Sequence, residues 1–272
     1  VPLSETERDG LIAAVRVAAR TEILPRFRRL APGDIDTKTS PSDLVTVADR
    51  AAERVLHDAV RALMPDAAIV GEEAVSEDPS ILDRLKHGGR TVLIDPIDGT
   101  WNYASGLALF GVILAVVEDG QTGFGLLYDP VMDDWVMAEH GRGAWFCRPA
   151  EAAVGLHGPP SRPKSEAHAF VPLFLYPPSD RARIAARLPD WGRVTSLRCS
   201  CHEYRTLALG HADLIVAPGP KPWDHAAGVL IAEEMGGSVW SGRPGYVLTD
   251  SATTLIVKGR PPDDPGWVSD FV

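Results

Sequence analysis

From Glu5 to about Leu24, Leu11, Ile12, Val15 and Ala19 recur at helical spacing behind Ser4 and Glu7, a capping-box pair. Pro25 ends or kinks that helix. The polar stretch Asp34–Ser42 reads as a loop. A second helix is expected from near Val47, with Ala48, Ala52, Val55, Leu56, Ala59 and Leu63 at helical spacing, stopping at Pro65. Ala67–Val70 is a short strand running into Gly71-Glu72-Glu73, and Ile81–Leu85 a short helix. The apolar run Val92-Leu93-Ile94 then reads as a buried strand end.

After Phe110 the texture changes. Short apolar runs (Gly111–Val117, Phe124–Tyr128, Trp135–Ala138, Ala144–Phe146) alternate with Asp119-Gly120, Asp129-Pro130 and Gly141-Arg142-Gly143, the pattern of an antiparallel meander. Residues 149–165, rich in Pro, Gly and small side chains, read as a surface connection between two halves, about 1–148 (α+β) and 166–272 (α/β), of a single layered unit. Beyond it, strands are expected at Phe170–Leu175, Val194–Leu197 and Ala212–Ala217, and at Val239-Trp240 and Thr254–Val257. Helices are expected near Asp180–Leu188, Glu203–Leu209 and His225–Met235.

The chemistry gathers at V-L-I-D-P-I-D-G-T-W-N-Y-A-S, residues 92–105. A strand end delivers two carboxylates, Asp95 and Asp98, on a turn stiffened by Pro96. Gly99 permits close approach of a ligand, and Thr100 is positioned as an N-cap with helix-start N–H groups facing an anion. Acids for hard cations beside amides for a phosphate point to metal-assisted phosphoryl chemistry. A calcium loop fails, because Ile97 and Gly99 occupy ligand positions and no Glu stands at the twelfth place. An aspartyl-phosphate phosphatase requires one residue fewer between its acids. Taken alone, Asp49 reads as a helix-dipole carboxylate, Glu72 and Glu73 as solvated loop charges, and Asp224, after Pro222-Trp223, as an N-cap.

Charge and composition narrow the classes. At 272 residues and 45% hydrophobic the chain buries a large core, and a formal charge of -10 argues against nucleic acid and anionic membrane as partners. No apolar run approaches a membrane span. The first ten residues lack the order of a secretion signal. Cys147, Cys199 and Cys201 are too few and too awkwardly spaced for a disulfide framework or a zinc site, so a reducing cytoplasm is expected.

With L-I-D-P-I-D-G-T-W-N-Y-A-S, W-D-H-A-A-G-V-L-I-A-E-E-M-G-G, G-E-E and K-T-S-P-S-D-L-V-T-V-A-D in this order, the chain resembles the inositol monophosphatase family of Mg²⁺-dependent, lithium-sensitive phosphatases, from about Asp36 to Gly259. That resemblance implies an alternating αβαβα sandwich, a homodimer, two to three Mg²⁺ ions and a small phosphate monoester as substrate. It also implies direct displacement by metal-activated water. Glu72, Asp95 and the Ile97 carbonyl are implied to hold one ion, Asp95, Asp98 and Asp224 a second, and a third lies near Glu72. Gly99 and Thr100 would meet the phosphate. Asp49 with Thr100, assisted by Glu72, would guide the attacking water, with Lys38 on a mobile loop and Glu73 outside the ligand set.

The departures concern substrate. Ala74 replaces the usual hydroxyl after Glu-Glu, R-C-S-C-H-E-Y stands at 198–204, and Ala217 replaces a glutamate that binds ring hydroxyls. Ser200, His202, Glu203, Ala217 and Lys221 are therefore the candidate substrate contacts. The expected substrate is an inositol, sugar or polyol phosphate. Histidinol phosphate is the specific alternative, and a catalytically weak regulatory protein keeping the fold is the alternative from another class.

Overall fold

A computed structural model describes residues 2–41, 43–158, 160, 162–250, 253–259 and 266–271. Helix α1, Glu5–Ala18, starts at the Ser4–Glu7 capping box and runs into a π-helical turn, Ala19–Ile23, so its buried stripe extends as far as Ile23. The loop expected at Asp34–Ser42 instead contributes to a small antiparallel hairpin, β1 (Ile35–Thr37) with β2 (Leu44–Thr46). Ser42 itself lies outside the described residues. Strands of three residues carry too little alternation to be seen in a sequence. Helix α2 spans Val47–Leu63, as its periodicity predicts.

Strand β3 (Ala68–Gly71), helix α3 (Glu72–Glu77), a 3₁₀ segment over Pro79–Lys86, strand β4 (Arg90–Asp98) and helix α4 (Thr100–Ala104) follow. The meander then runs through β5 (Gly111–Glu118), β6 (Gln121–Asp129), β7 (Asp134–Glu139) and β8 (Gly143–Cys147). It adds β9 (Val154–Leu156) inside the stretch expected to be a bare connection, of which Pro159 and Ser161 lie outside the described residues. These strands form a seven-stranded sheet in the order β3-β4-β5-β6-β7-β8-β9, parallel only between β3 and β4.

The second half supplies β10 (His168–Phe170), α5 (Pro178–Ala185), β11 (Arg193–Thr195), α6 (Ser200–Ala208), β12 (Leu214–Pro218), α7 (Pro222–Glu234), β13 (Ser238–Ser241), β14 (Thr254–Lys258) and α8 (Gly266–Ser269). Five strands pair in the order β11-β10-β12-β14-β13. The strand expected over Phe170–Leu175 ends at Phe170, since Pro172 cannot donate to a ladder, and Leu173–Leu175 turn as 3₁₀ helix. Helix α7 starts at Pro222, three residues before the expected His225, because proline is well suited to a first helical position.

The apolar run of β4 is continuous because both sheet faces are covered. Val92 and Ile94 join Leu11, Val15, Leu56 and Val60 of α1 and α2 in one core, while Leu93 points to the other. There it meets Tyr204 and Leu207 of α6 and Leu230 and Ile231 of α7, which also cover Ile215, Leu255 and Val257 of the smaller sheet. On that sheet's far face Leu214, Val216 and Ile256 pack against Ile184, Trp267 and Phe271. Helix, sheet, helix, sheet and helix thus stack as the αβαβα sandwich expected. Among the described residues no helix is long and apolar enough to cross a membrane.

Candidate active site

Strand β4 changes character at Pro96. The β4–β5 register shifts between Asp95 and Asp98, and the Ile97 N–H turns back to donate to Asp95 Oδ1 at 3.1 Å. Gly99 then adopts φ 86°, where a Cβ would stand 3.0 Å from the Leu109 carbonyl oxygen and 3.1 Å from Cys199 Cβ. Gly99, not Thr100, is therefore the residue that caps α4; Thr100 is its first helical residue. The Thr100 hydroxyl is directed elsewhere, 2.9 Å from the Ile97 carbonyl oxygen and 3.1 Å from Asp49 Oδ1.

Asp49 is fully buried at the third position of α2, where its Oδ2 accepts the Thr46 backbone N–H at 2.9 Å and Thr46 caps the helix. One turn on, Glu53 accepts the backbone N–H groups of Glu73 and Ala74, both at 2.9 Å, and so fixes the start of α3. That places Glu72 and Glu73 against Lys38, whose Nζ lies 2.8 Å from each carboxylate. Burial works against the lysine's charge, but the two glutamates outweigh it and raise its pKa.

On the far side, Asp98 accepts the backbone N–H of Cys201 and the thiol of Cys199, the latter at 3.1 Å, at the head of α6. Asp224 sits in the first turn of α7. It does not cap that helix: Lys221 holds the cap position, and no side chain makes the capping hydrogen bond.

Burial dominates the protonation of this group. It pushes Asp49 up to about 6 against the hydrogen bonds from Thr46, and Asp98 up to about 6 against those from Cys201 and Cys199. Asp95 and Asp224 are raised well above the usual carboxylate range by burial, then by Glu72 and Asp98. Glu73 rises to about 8 through burial and the adjacent Glu72. Carboxylates that raise one another's pKa are short of positive charge. Among the described residues no three of these side chains already converge on one ion-sized point. Their donor chemistry, carboxylate oxygens beside a backbone carbonyl, nevertheless fits a hard divalent cation, and so does the mutual repulsion of Asp95, Asp98 and Asp224.

A cleft of about 740 Å³ opens over Glu72, Asp98, Gly99, Thr100 and Asp224. Ser200, Glu203, Ala217 and Lys221 line it as well. Glu203, however, directs its carboxylate to the Leu197 backbone N–H at 2.8 Å, and burial raises its pKa to about 8. His202 does not line the cleft; its Nε2 lies 3.0 Å from the Phe110 carbonyl oxygen. His225, beside Asp224, is buried with its pKa pushed down to about 3, a neutral ring against the Tyr204 hydroxyl.

Sequence reasoning did not single out Glu53 or the side chain of Arg198. Glu53 follows Asp49 at a four-residue interval on one helix face, a usable signal. The Arg198 guanidinium lies 4.1 Å from the ring centre of Trp101 and 5.0 Å from that of Phe174, an arrangement that only tertiary structure reveals.

Residues 5–260 match the profile of the inositol monophosphatase family. The chain is 32% identical over 215 residues to a fructose-1,6-bisphosphatase/inositol-1-monophosphatase of Thermotoga maritima, covering 76% of this chain and 74% of that protein. It is 33% identical over 212 residues to a histidinol-phosphatase of Chlorobaculum parvum, covering 76% and 75%. A solved IMPase structure from Thermotoga maritima superimposes with a TM-score of 0.76 at 27% identity, covering 93% of this chain and 91% of that one. The fold and these relatives define a phosphatase, a phosphoric monoester hydrolase. The chain belongs to the inositol monophosphatase family.

Proposed function

We propose that the protein hydrolyses a small phosphate monoester, an inositol, sugar or polyol phosphate, by direct attack of water at a Mg²⁺-holding site. The observation that carries this reading is the gathering of Asp95, Asp98 and Asp224, whose pKa values are raised by burial and further by the neighbouring Glu72, beside the Asp49–Thr100 pair. Glu72, Asp95 and the Ile97 carbonyl would hold one ion, and Asp95, Asp98 and Asp224 a second, with a third near Glu72. Bound Mg²⁺ supplies charge neutralisation on phosphate oxygens and lowers the pKa of a coordinated water.

The chain's own groups do the positioning. The backbone N–H groups of Gly99 and Thr100 face the phosphate at the start of α4. Thr100 Oγ1, by donating its single proton to Asp49 Oδ1, presents lone pairs that orient a water, and Asp49 takes up the proton. Burial holds Asp49 near pKa 6, which suits a base working around neutrality. Glu72 assists. Lys38 occupies Glu72 and Glu73 here, so a cation at Glu72 competes with or shares that contact.

The cleft takes side chains from both halves, about 1–148 and 166–272, and we propose that they act as one unit. A homodimer and a cytoplasmic setting belong to the same proposal, in keeping with the family resemblance and the three free cysteines. Lithium sensitivity belongs to it also. Histidinol phosphate is the second reading, favoured by the Chlorobaculum relative. Against it, His202 and Glu203 are engaged with Phe110 and Leu197 rather than turned to a substrate.

A comparison of kcat/KM for inositol 1-phosphate, glycerol 2-phosphate, fructose 1,6-bisphosphate and histidinol phosphate tests the reading. Ala217 offers no side-chain acceptor for ring hydroxyls, so inositol 1-phosphate is expected to be cleaved without selectivity. A preference for it of about a hundredfold contradicts that assignment, and a like preference for histidinol phosphate selects the second reading.

A further inference from the structure

We infer that Cys199 is a positioning residue for the cation site: its thiol and the first turn of α6 hold one oxygen of Asp98, so that this carboxylate offers its other oxygen to a cation. The inference rests on the reading of Asp98 as a cation ligand at a phosphate-monoester hydrolase site.

Cys199 stands at the N-cap of α6, a position suited to Ser, Thr, Asp or Asn, and its side chain makes no capping hydrogen bond. The acceptor at this helix start is instead Asp98, delivered by the end of β4. The Cys201 backbone N–H and the Cys199 thiol both donate to Asp98 Oδ2, the thiol at 3.1 Å. With two donors on one oxygen, the plane of the carboxylate is fixed and Oδ1 is the oxygen left for a cation. Cys199 and Asp98 are both buried, where a hydrogen bond is stronger than in water, and both line the cleft.

The two neighbouring thiols differ in what they touch. Cys199 Sγ lies against the turn that carries Asp98, so close that a Cβ on Gly99 would stand 3.3 Å from it. Cys201 Sγ is directed to the Tyr128 carbonyl oxygen at 3.7 Å. Only the first thiol therefore acts on a carboxylate of the site. Groups that hydrogen-bond a metal ligand set its direction, and their loss weakens metal binding even though they never meet the metal.

Calorimetric titration of Mg²⁺ into chelator-treated protein tests this without recourse to turnover. Cys199→Ala removes the donor and should bind Mg²⁺ about tenfold more weakly than the wild type. Cys199→Ser restores a donor at the same place and should return the affinity to within about threefold of wild type. The half-saturating Mg²⁺ for phosphate release from glycerol 2-phosphate should shift in the same order, with kcat at saturating Mg²⁺ changed less. Circular dichroism establishes that each variant is folded, and Tm in chelator reports the packing lost with the sulfur, which a merely structural role would change without moving the Mg²⁺ affinity. Equal affinity in the wild type and Cys199→Ala, or Cys199→Ser binding about tenfold more weakly than the wild type, overturns the inference while leaving the hydrolase reading intact. A wild type that binds no Mg²⁺ overturns both.

Discussion

Thr100 Oγ1 lies 3.1 Å from Asp49 Oδ1, joining the first residue of α4 to the third residue of α2 across 51 positions of sequence. The hydroxyl has one proton and two acceptors within reach, Asp49 and the Ile97 carbonyl. In the proposed mechanism a water bonded to Thr100 Oγ1 would be oriented by a buried carboxylate it need not touch. Thr100→Ala and Asp49→Asn should each lower kcat by roughly 10²–10⁴-fold with smaller effects on KM. Steady-state kinetics check this; kcat within a few-fold of wild type for either variant would remove the pair from the mechanism.

Direct attack by that water has a stereochemical signature. Hydrolysis of a chiral thiophosphate ester should invert configuration at phosphorus, as a single displacement requires. Retention would mean a covalent phosphoenzyme.

The buried acids also set a pH dependence of stability. Asp49 and Asp98 titrate near 6 in the folded chain against an ordinary value of 3.8, and Glu73 near 8 against 4.5. Above the ordinary values the unfolded chain has lost protons that the folded chain still holds. The contribution of these groups is thus complete below about pH 4 and is lost as pH rises to about 8. Asp133, lowered by its hydrogen bond from Arg16, acts in the opposite sense at pH below this window, and buried His225, pushed down to about 3 from 6.5, opposes the fall up to about pH 6.5. Urea midpoints of the chelated protein should therefore fall between about pH 6.5 and pH 8, and saturating Mg²⁺ should flatten that fall. Midpoints that rise over this range in chelator, or are indifferent to Mg²⁺, contradict the charge assignment.

Much of the candidate site was legible because its residues travel in short motifs. Asp95, Asp98 and Gly99 lie on one turn, and Glu72 follows a strand and a glycine. What sequence concealed was pairing across distance. Lys38 meets Glu72 34 residues on, and Arg198 meets Trp101 from a different half of the chain. Locally, the left-handed conformation of Gly99 moved the cap of α4 back one residue from Thr100. Lys221 took the cap position of α7 in place of Asp224, since Pro222 begins the helix early. In the fold, the cores on the two faces of β4 followed from apolar periodicity. The β1–β2 hairpin and β9 escaped because three-residue strands form on pairing partners rather than pattern.

Close packing of α6 on α7 depends on Gly228. A Cβ there would stand 2.2 Å from Cγ of Tyr204, which is fully buried beside His225. Gly228→Ala should destabilise the protein by about 1–3 kcal/mol and lower Tm by roughly 2–10 °C. An unchanged Tm in a calorimetric scan would mean that the two helices are less tightly apposed.

The most direct measurement is phosphate release from glycerol 2-phosphate as Mg²⁺ is titrated into chelator-treated protein, for the wild type and Asp98→Asn. The wild type should release none before Mg²⁺ is added and then rise to saturation. Asp98→Asn, folded but lacking one charge at the site, should remain lower by about 10³-fold or more. Release that is independent of Mg²⁺, or near-normal turnover by Asp98→Asn at low Mg²⁺, would contradict the account.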